Sequence, residues 1–232
     1  MTDERPRPLA VLFDYDGTLV DTEPYWMQSE VDLLASYGVP WTVEEARQLC
    51  GTSREYSLQV QYTQMAAHGF DVSTLDEDEF YDQNCQGVIE AVKTQGLPWL
   101  PGARELLLEL KANRIPCAIV SNSPPQVLAA GLGQFPAGTI RAVIDGDMVT
   151  LGKPDPEGYR TAAKQLGVDP VDCIVVEDTA TGATAGLASG AVVLAVPGQF
   201  PVPDAPGQVK VSGLEGMDVA RLRELFAQGR AA

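Results

Sequence analysis

The sequence predicts an α/β protein, a doubly wound parallel sheet that carries a small all-helical second domain. Three observations lead there. Short uninterrupted apolar runs such as Ala10 to Phe13, Ala118 to Val120 and Cys173 to Val176 read as strands buried on both faces, the pattern of parallel sheets covered by helices. From residue 102 onward such runs alternate with helical patterns, as a doubly wound sheet requires. Between Thr22 and Val92 nothing reads as a buried parallel strand, so this stretch is expected to be a helical insert.

Taken in order, the first strand is the run Leu9-Ala10-Val11-Leu12-Phe13-Asp14-Tyr15-Asp16-Gly17-Thr18-Leu19, and it ends at Asp14. A helix follows over about Tyr25 to Tyr37, with Trp26, Val31, Leu33, Leu34 and Tyr37 as its apolar set. Val43 to Leu49, Glu55 to His68 and about Leu75 to Val92 are further helices, separated by turn-forming segments. Linkers fall near Val20–Glu23 and Lys93–Trp99, so the domains are 1–21 with 94–232, and 22–93. A helix over Gly102 to Asn113 leads into the strand Pro116 to Val120. Pro124 to Leu132 is a helix with proline in its first turn. Arg141 to Ile144 is a short strand, and Asp155 to Leu166 a helix. Cys173 to Val176 and Val192 to Val196 are buried strands, Gln208 to Val211 a possible edge, and Gly216 to Gln228 a terminal helix. The small-residue run Ala180 to Gly186 suits a helix packed closely on the sheet.

Composition narrows the function classes. A formal charge of −16 argues against nucleic acid, because neutralising its backbone needs clustered Lys and Arg. No apolar stretch approaches the length of a membrane span, and Met1 to Pro8 contain no apolar signal-peptide core. The four cysteines, Cys50, Cys85, Cys117 and Cys173, are scattered, and two fall inside expected strands. Free buried thiols in a reducing cytoplasm account for them better than disulfides or zinc. A monomer is expected.

Asp14 and Asp16, two apart at a strand's carboxyl end, tend to face one side, and Gly17 lets the chain turn sharply after them. Active sites of open α/β sheets lie at that edge. A carboxylate pair there suits a metal, a nucleophile or an acid/base couple, or else merely a solvated turn. An EF-hand is excluded, since its fifth and twelfth positions would be Thr18 and Tyr25. Three further groups converge on the same reading: Ser121-Asn122-Ser123 after an apolar run, Lys153 in the loop Gly152-Lys153-Pro154-Asp155-Pro156, and Glu177-Asp178-Thr179 after Ile174-Val175-Val176.

Asp-x-Asp-Gly-Thr, a strand-end serine, a Lys-Pro loop and Glu-Asp, in that order, resemble the haloacid dehalogenase superfamily of phosphotransferases over nearly the whole chain. The resemblance implies a Rossmann-like core with a helical cap over 22–93. It implies that Asp14 is a nucleophile forming a phosphoaspartate, and that Asp16 protonates the leaving oxygen and then activates water. It assigns Mg²⁺ to Asp14, the backbone carbonyl of Asp16 and Asp178, with Glu177 acting through a metal-bound water. Ser121 and Asn122, with backbone N–H groups, would hold the phosphoryl, and Lys153 would supply a point charge beside nucleophile and phosphate.

The cap would set substrate choice. It carries no lysine before Lys93, and only Arg47 and Arg54 among many acids. Gly51-Thr52-Ser53-Arg54-Glu55 is similar to the substrate-contacting loop of β-phosphoglucomutases, which makes Arg54 a candidate phosphate grip; the alternative is a helix start capped by Thr52 or Ser53. Tyr25 and Trp26 are read as core, and His68, the only histidine, as a surface residue. Dehalogenases of the superfamily lack the second aspartate, and phosphonatases need a cap lysine, so Asp16 and the lysine-free cap argue against both. Mutases carry a histidine near the position of Trp26, whereas Asp21-Thr22-Glu23-Pro24-Tyr25-Trp26 resembles sugar- and hexitol-phosphate phosphatases. The expected substrate is a small phosphorylated metabolite, a sugar or polyol phosphate, with β-phosphoglucomutase as the alternative.

Overall fold

The computed structural model describes residues 8–50, 52 and 54–231. Its sheet has six parallel strands: β1 (Ala10–Phe13), β2 (Cys117–Val120), β3 (Ile140–Ile144), β4 (Cys173–Glu177), β5 (Val192–Ala195) and β6 (Gln208–Lys210), in the order β3-β2-β1-β4-β5-β6. The run Gln208 onward is thus a true edge strand. The period of two divides β1 between faces. Val11 and Phe13 pack under α5 (Ala103–Ala112) and α9 (Val219–Ala231), while Ala10 and Leu12 pack under α7 (Glu157–Leu166) and α8 (Ala180–Ser189). Helices on both faces explain why the strands read as continuous apolar runs.

The insert is helical throughout: α1 (Glu23–Ser36), α2 (Val43–Arg47), α3 (Arg54–Ala67), one 3₁₀ turn (Val72–Thr74) and α4 (Glu77–Gln95). Leu33, Leu34, Trp41, Leu58, Met65 and Phe80 make its own apolar cluster. Cys85, Val88 and Ile89 of α4 pack on Val127 of α6 (Pro125–Leu132), which joins the insert to the sheet-bearing part.

Element ends moved where caps decided them. The first helix starts at Glu23 rather than Tyr25, because Pro24 fits its first turn. The helix expected from about Leu75 starts at Glu77, because Asp76 caps α4 by accepting from the N–H groups of Asp78 and Glu79 at 3.0 Å, and a separate 3₁₀ turn capped by Asp71 precedes it. The terminal helix begins at Val219 rather than Gly216, after Asp218 accepts from the N–H of Arg221 at 2.7 Å. At the start of α3, Ser53 lies outside the described residues, as does Gly51. The four cysteines are free, and no helix among the described residues is long and apolar enough to cross a membrane.

Candidate active site

Parallel pairing of β1 with β4 sets Phe13 beside Val176, so Asp14 and Glu177 leave the sheet as neighbours. The Asp14 N–H donates to the Val176 carbonyl at 3.0 Å, which fixes where the carboxylate begins. Lys153 arrives from the loop before α7. Its Nζ lies 2.5 Å from Asp14 Oδ1 and 2.6 Å from Glu177 Oε1, and its side chain is only 8% exposed. Tyr159, buried in the first turns of α7, donates its hydroxyl to the same Glu177 Oε1 at 2.5 Å. Glu177 Oε2 accepts from Thr179 Oγ1 at 3.0 Å and from the Thr179 N–H at 3.3 Å. Both oxygens of this fully buried carboxylate therefore accept from protein donors. Gly182 is required beside it, since a Cβ there would run into the carboxylate.

Asp178 is different. It is buried, yet its Oδ1 has no hydrogen-bond partner. One oxygen each of Asp14, Glu177 and Asp178 lies within 4.8 Å of the others. Gly17, at φ 79°, turns the chain over Asp178 so closely that any side chain would overlap that carboxylate.

Asp16 is held from two sides. Its Oδ1 accepts from Thr22 Oγ1, and its Oδ2 accepts from Ser123 Oγ at 2.6 Å. Ser121, at the end of β2, donates its N–H to the Ile144 carbonyl at 3.0 Å, and its Oγ accepts from the Ser123 N–H at 3.0 Å. Asn122 is exposed and lines a recess with Ser121, Gly152, Lys153 and Asp155.

Burial, above all, pushes the Asp14 carboxyl well up; Lys153 opposes this, and Glu177 and Asp178 add to it. Burial likewise raises Asp16, against the hydrogen bonds from Ser123 and Thr22. Burial and then Glu177 push Asp178 up to about 7. For Lys153 burial works against the charge, but Asp14 and Glu177 outweigh it and hold the ammonium above its ordinary range. One lysine thus faces three clustered carboxylates, with one buried oxygen unsatisfied and only oxygen donors around it. That donor set fits a hard divalent cation of the Mg²⁺ type.

The structure brings together Asp14, Asp16, Ser121, Asn122, Lys153, Glu177 and Asp178. Arg54 stands apart from them. It is the first residue of α3, its Nη2 pairs with Asp78 Oδ1, and its guanidinium lies 4.5 Å from the Tyr81 ring centroid. Trp26 packs against the α4–α6 cluster and stacks on Tyr81 at 6.5 Å, and Tyr25 donates to the Gly96 carbonyl at 3.0 Å, so both sit in packing. His68 is exposed, its Nδ1 2.9 Å from the Gln64 carbonyl. Sequence reasoning missed Thr22, Ser123, Tyr159 and Thr179. Ser123 and Thr179 lie within the quoted motifs and carried a signal; Tyr159 looks like any apolar residue of an amphipathic helix.

Comparison with known proteins is consistent across most of the chain. A family model for haloacid dehalogenase-like hydrolase matches residues 8–190. The bifunctional riboflavin kinase/FMN phosphatase of Arabidopsis thaliana is 30% identical over 81% of this chain; the chain spans only 48% of that relative's length. Hexitol phosphatase B of Escherichia coli O157:H7 is 28% identical over 95% of each chain. The crystal structure of β-phosphoglucomutase from Clostridium difficile superposes with a TM-score of 0.74, 21% identity, and coverage of 96% of this chain and 99% of that one, a likeness of fold.

Proposed function

This chain belongs to the haloacid dehalogenase-like hydrolases, and from that premise we propose that it is a Mg²⁺-dependent phosphatase of a small phosphorylated sugar or polyol, working through a phosphoaspartate. The full-length match to a hexitol phosphatase supports the substrate class. One observation carries the chemistry: Lys153 bridges Asp14 and Glu177 while Asp178 keeps a buried oxygen without a partner. In this reading residues 1–21 and 94–232 form the catalytic core, 22–93 the cap, and the enzyme is a cytoplasmic monomer.

Asp14 attacks phosphorus, and the bond to the ester oxygen breaks as Asp16 donates its proton to that oxygen. Asp16 is suited to start protonated, because burial raises its carboxyl while Thr22 and Ser123 hold it in place. Asp16 then takes a proton from water, which attacks the phosphoaspartate and releases phosphate and free Asp14. Lys153 keeps Asp14 oriented and balances charge on the transferring group, with Glu177 anchoring Lys153. Ser121 and Asn122 border the phosphoryl position. Asp14, Asp178 and the Asp16 carbonyl would hold Mg²⁺, with Glu177 behind it; the ion would offset the clustered negative charge and polarise phosphoryl oxygens.

The test is phosphate release from a panel of phosphorylated metabolites with Mg²⁺ and after chelation. Absence of turnover on every ester would overturn the reading. The Arg54 segment favours a second reading, β-phosphoglucomutase; glucose 6-phosphate formed from β-glucose 1-phosphate, without phosphate release, would establish it. Trp26, packed where that reading needs a histidine, speaks against it.

A further inference from the structure

In the proposed cycle Asp16 gives a proton to the leaving oxygen and later takes one from water, so its carboxyl group must face the reacting phosphoryl throughout. Asp16 lies beyond Phe13, the last residue of β1, in the turn that Gly17 closes, and two hydroxyls fix its side chain there. Thr22, which holds Oδ1, is fully buried, so that oxygen faces the protein interior. Ser123, whose Oγ donates to Oδ2 at 2.6 Å, is half-buried in the loop between β2 and α6. The same loop carries Ser121 and Asn122, which line the recess shared with Lys153. Oδ2 is thus the oxygen on the phosphoryl side. The Ser123 N–H donates to Ser121 Oγ at 3.0 Å, which leaves the Ser121 hydroxyl proton for another acceptor. One residue therefore orients both a group that borders the phosphoryl and the acid that protonates the ester oxygen. Its own support is rigid. Ser121 donates its N–H to the Ile144 carbonyl at 3.0 Å, Pro124 and Pro125 open α6, and Val127 of that helix packs on Cys85, Val88 and Ile89.

We propose that Ser123 is a positioning residue for protonation of the leaving group: its hydroxyl aims Asp16 Oδ2 at the ester oxygen. The inference rests on the phosphatase reading above and adds a residue to which that reading gave no role of its own beyond holding Asp16. A hydroxyl suits the task. Oδ2 accepts from Ser123 through one lone pair, and its other position carries the proton meant for the ester oxygen. As the bond from phosphorus to that oxygen breaks, its electron pair stays on oxygen and takes the Asp16 proton; Ser123 keeps its own. After transfer Asp16 is a carboxylate, and the same Ser123 donor then holds it with a stronger, charge-assisted bond while it awaits water. The residue matters in proportion to the need for a proton. A sugar or polyol alkoxide is a poor leaving group and depends on the acid, whereas p-nitrophenolate is a stable anion and departs without one.

The experiment compares kcat/KM with Mg²⁺ for sorbitol 6-phosphate and p-nitrophenyl phosphate in wild type, Ser123→Ala and Ser123→Thr. This ratio covers the steps up to departure of the leaving group, so hydrolysis of the phosphoaspartate, common to both esters, does not enter it. Ser123→Ala should lower kcat/KM for sorbitol 6-phosphate by about ten- to a hundredfold, with KM little changed, and for p-nitrophenyl phosphate by no more than about threefold. Ser123→Thr, which keeps the hydroxyl, should recover most of the loss on sorbitol 6-phosphate. Should Ser123→Ala fail to fold, Ser123→Cys carries the same comparison, since it keeps the volume and replaces the hydroxyl by a weak donor. Equal losses on both esters would mean that Ser123 holds the loop or the phosphoryl rather than the acid. No loss on either, or a Ser123→Thr as poor as Ser123→Ala, would mean that its hydroxyl does not aim Asp16. Each of these results overturns the assignment. Hydrolysis of neither ester by wild type would instead remove the phosphatase reading itself.

Discussion

At the carboxyl edge of the sheet, Glu177 accepts from Lys153, Tyr159 and Thr179, and Asp16 from Thr22 and Ser123. In the helical insert, Tyr62 and Asn84 each keep a buried polar atom without a partner, while the buried Glu30 faces Trp41 and Gln61. The sheet edge leaves only Asp178 Oδ1 and Thr18 Oγ1 in that condition among the described residues, and Asp178 belongs to the carboxylate cluster with Asp14 and Glu177. One region holds its charges in place before any substrate arrives, which is what stabilising a transition state requires. The other contributes none of the three clustered carboxylates, and its buried polar groups sit within its own helical packing. The two regions thus differ in whether buried polar groups are gathered at one strand edge or scattered through helical packing.

Breaking the completed side should give the largest effects. Asp14→Asn should abolish turnover, by more than about a thousandfold, since an amide cannot form the acyl phosphate. Its melting temperature should hold or rise, because burial and two neighbouring carboxylates already disfavour the Asp14 charge. Chelation should stop turnover, with Mg²⁺ restoring it and Ca²⁺ failing to, since Ca²⁺ prefers more oxygens at longer distances. Tyr159→Phe removes one donor from Glu177 while keeping the ring. A hydrogen bond to a charged group contributes about 1.5–3 kcal/mol. A fall in kcat of roughly ten- to a hundredfold with KM little changed would therefore mark Tyr159 as positioning the Lys153 anchor. A uniform loss of folded protein would leave it as core.

Legibility in the sequence followed the same division. Strand runs were readable because both faces of the sheet are covered, and Asp14, Lys153 and Glu177-Asp178 because each ends an apolar run or sits in a Gly/Pro loop. Tyr159 was not: its hydroxyl matters only because parallel register and α7 bring it under Glu177, a relation no local pattern encodes. Glu30 was hidden for a related reason. An acid in an acidic helix reads as solvated surface until packing with Trp41 and Gln61 buries it. The helix expected from about Leu75 formed, and only its start moved, to Glu77, because the side chain of Asp76 caps it.

The helical insert should show a smaller, pH-dependent signature. Glu30 has a folded-state pKa of about 7 against an ordinary value of 4.5, with burial as the main cause. Between those values the folded state binds the extra proton, so its contribution is intact below about pH 4.5 and is lost as pH rises through 7. Denaturant midpoints should show Glu30→Gln gaining on wild type over that window, by at most about 3 kcal/mol. A difference that does not vary with pH would show that Glu30 is as well solvated folded as unfolded.

The smallest effect should come from Arg54, which the sequence offered as a candidate phosphate grip or as an ordinary helix-start residue. Its partner Asp78 is 84% exposed, and an exposed ion pair is worth about 0–1 kcal/mol, with a similar amount from the contact over Tyr81. If the guanidinium stays committed to Asp78 and Tyr81, Arg54→Ala should cost about 1 kcal/mol of stability and change kcat/KM for sorbitol 6-phosphate by no more than about threefold. A loss of tenfold or more confined to that substrate would mean that Arg54 leaves Asp78 when substrate binds. Asp78→Ala separates the two cases further, because it frees the guanidinium without removing it. Improved turnover of fructose 1,6-bisphosphate by Asp78→Ala would show that a guanidinium freed from this ion pair can meet a second phosphate; unchanged turnover would show that it cannot.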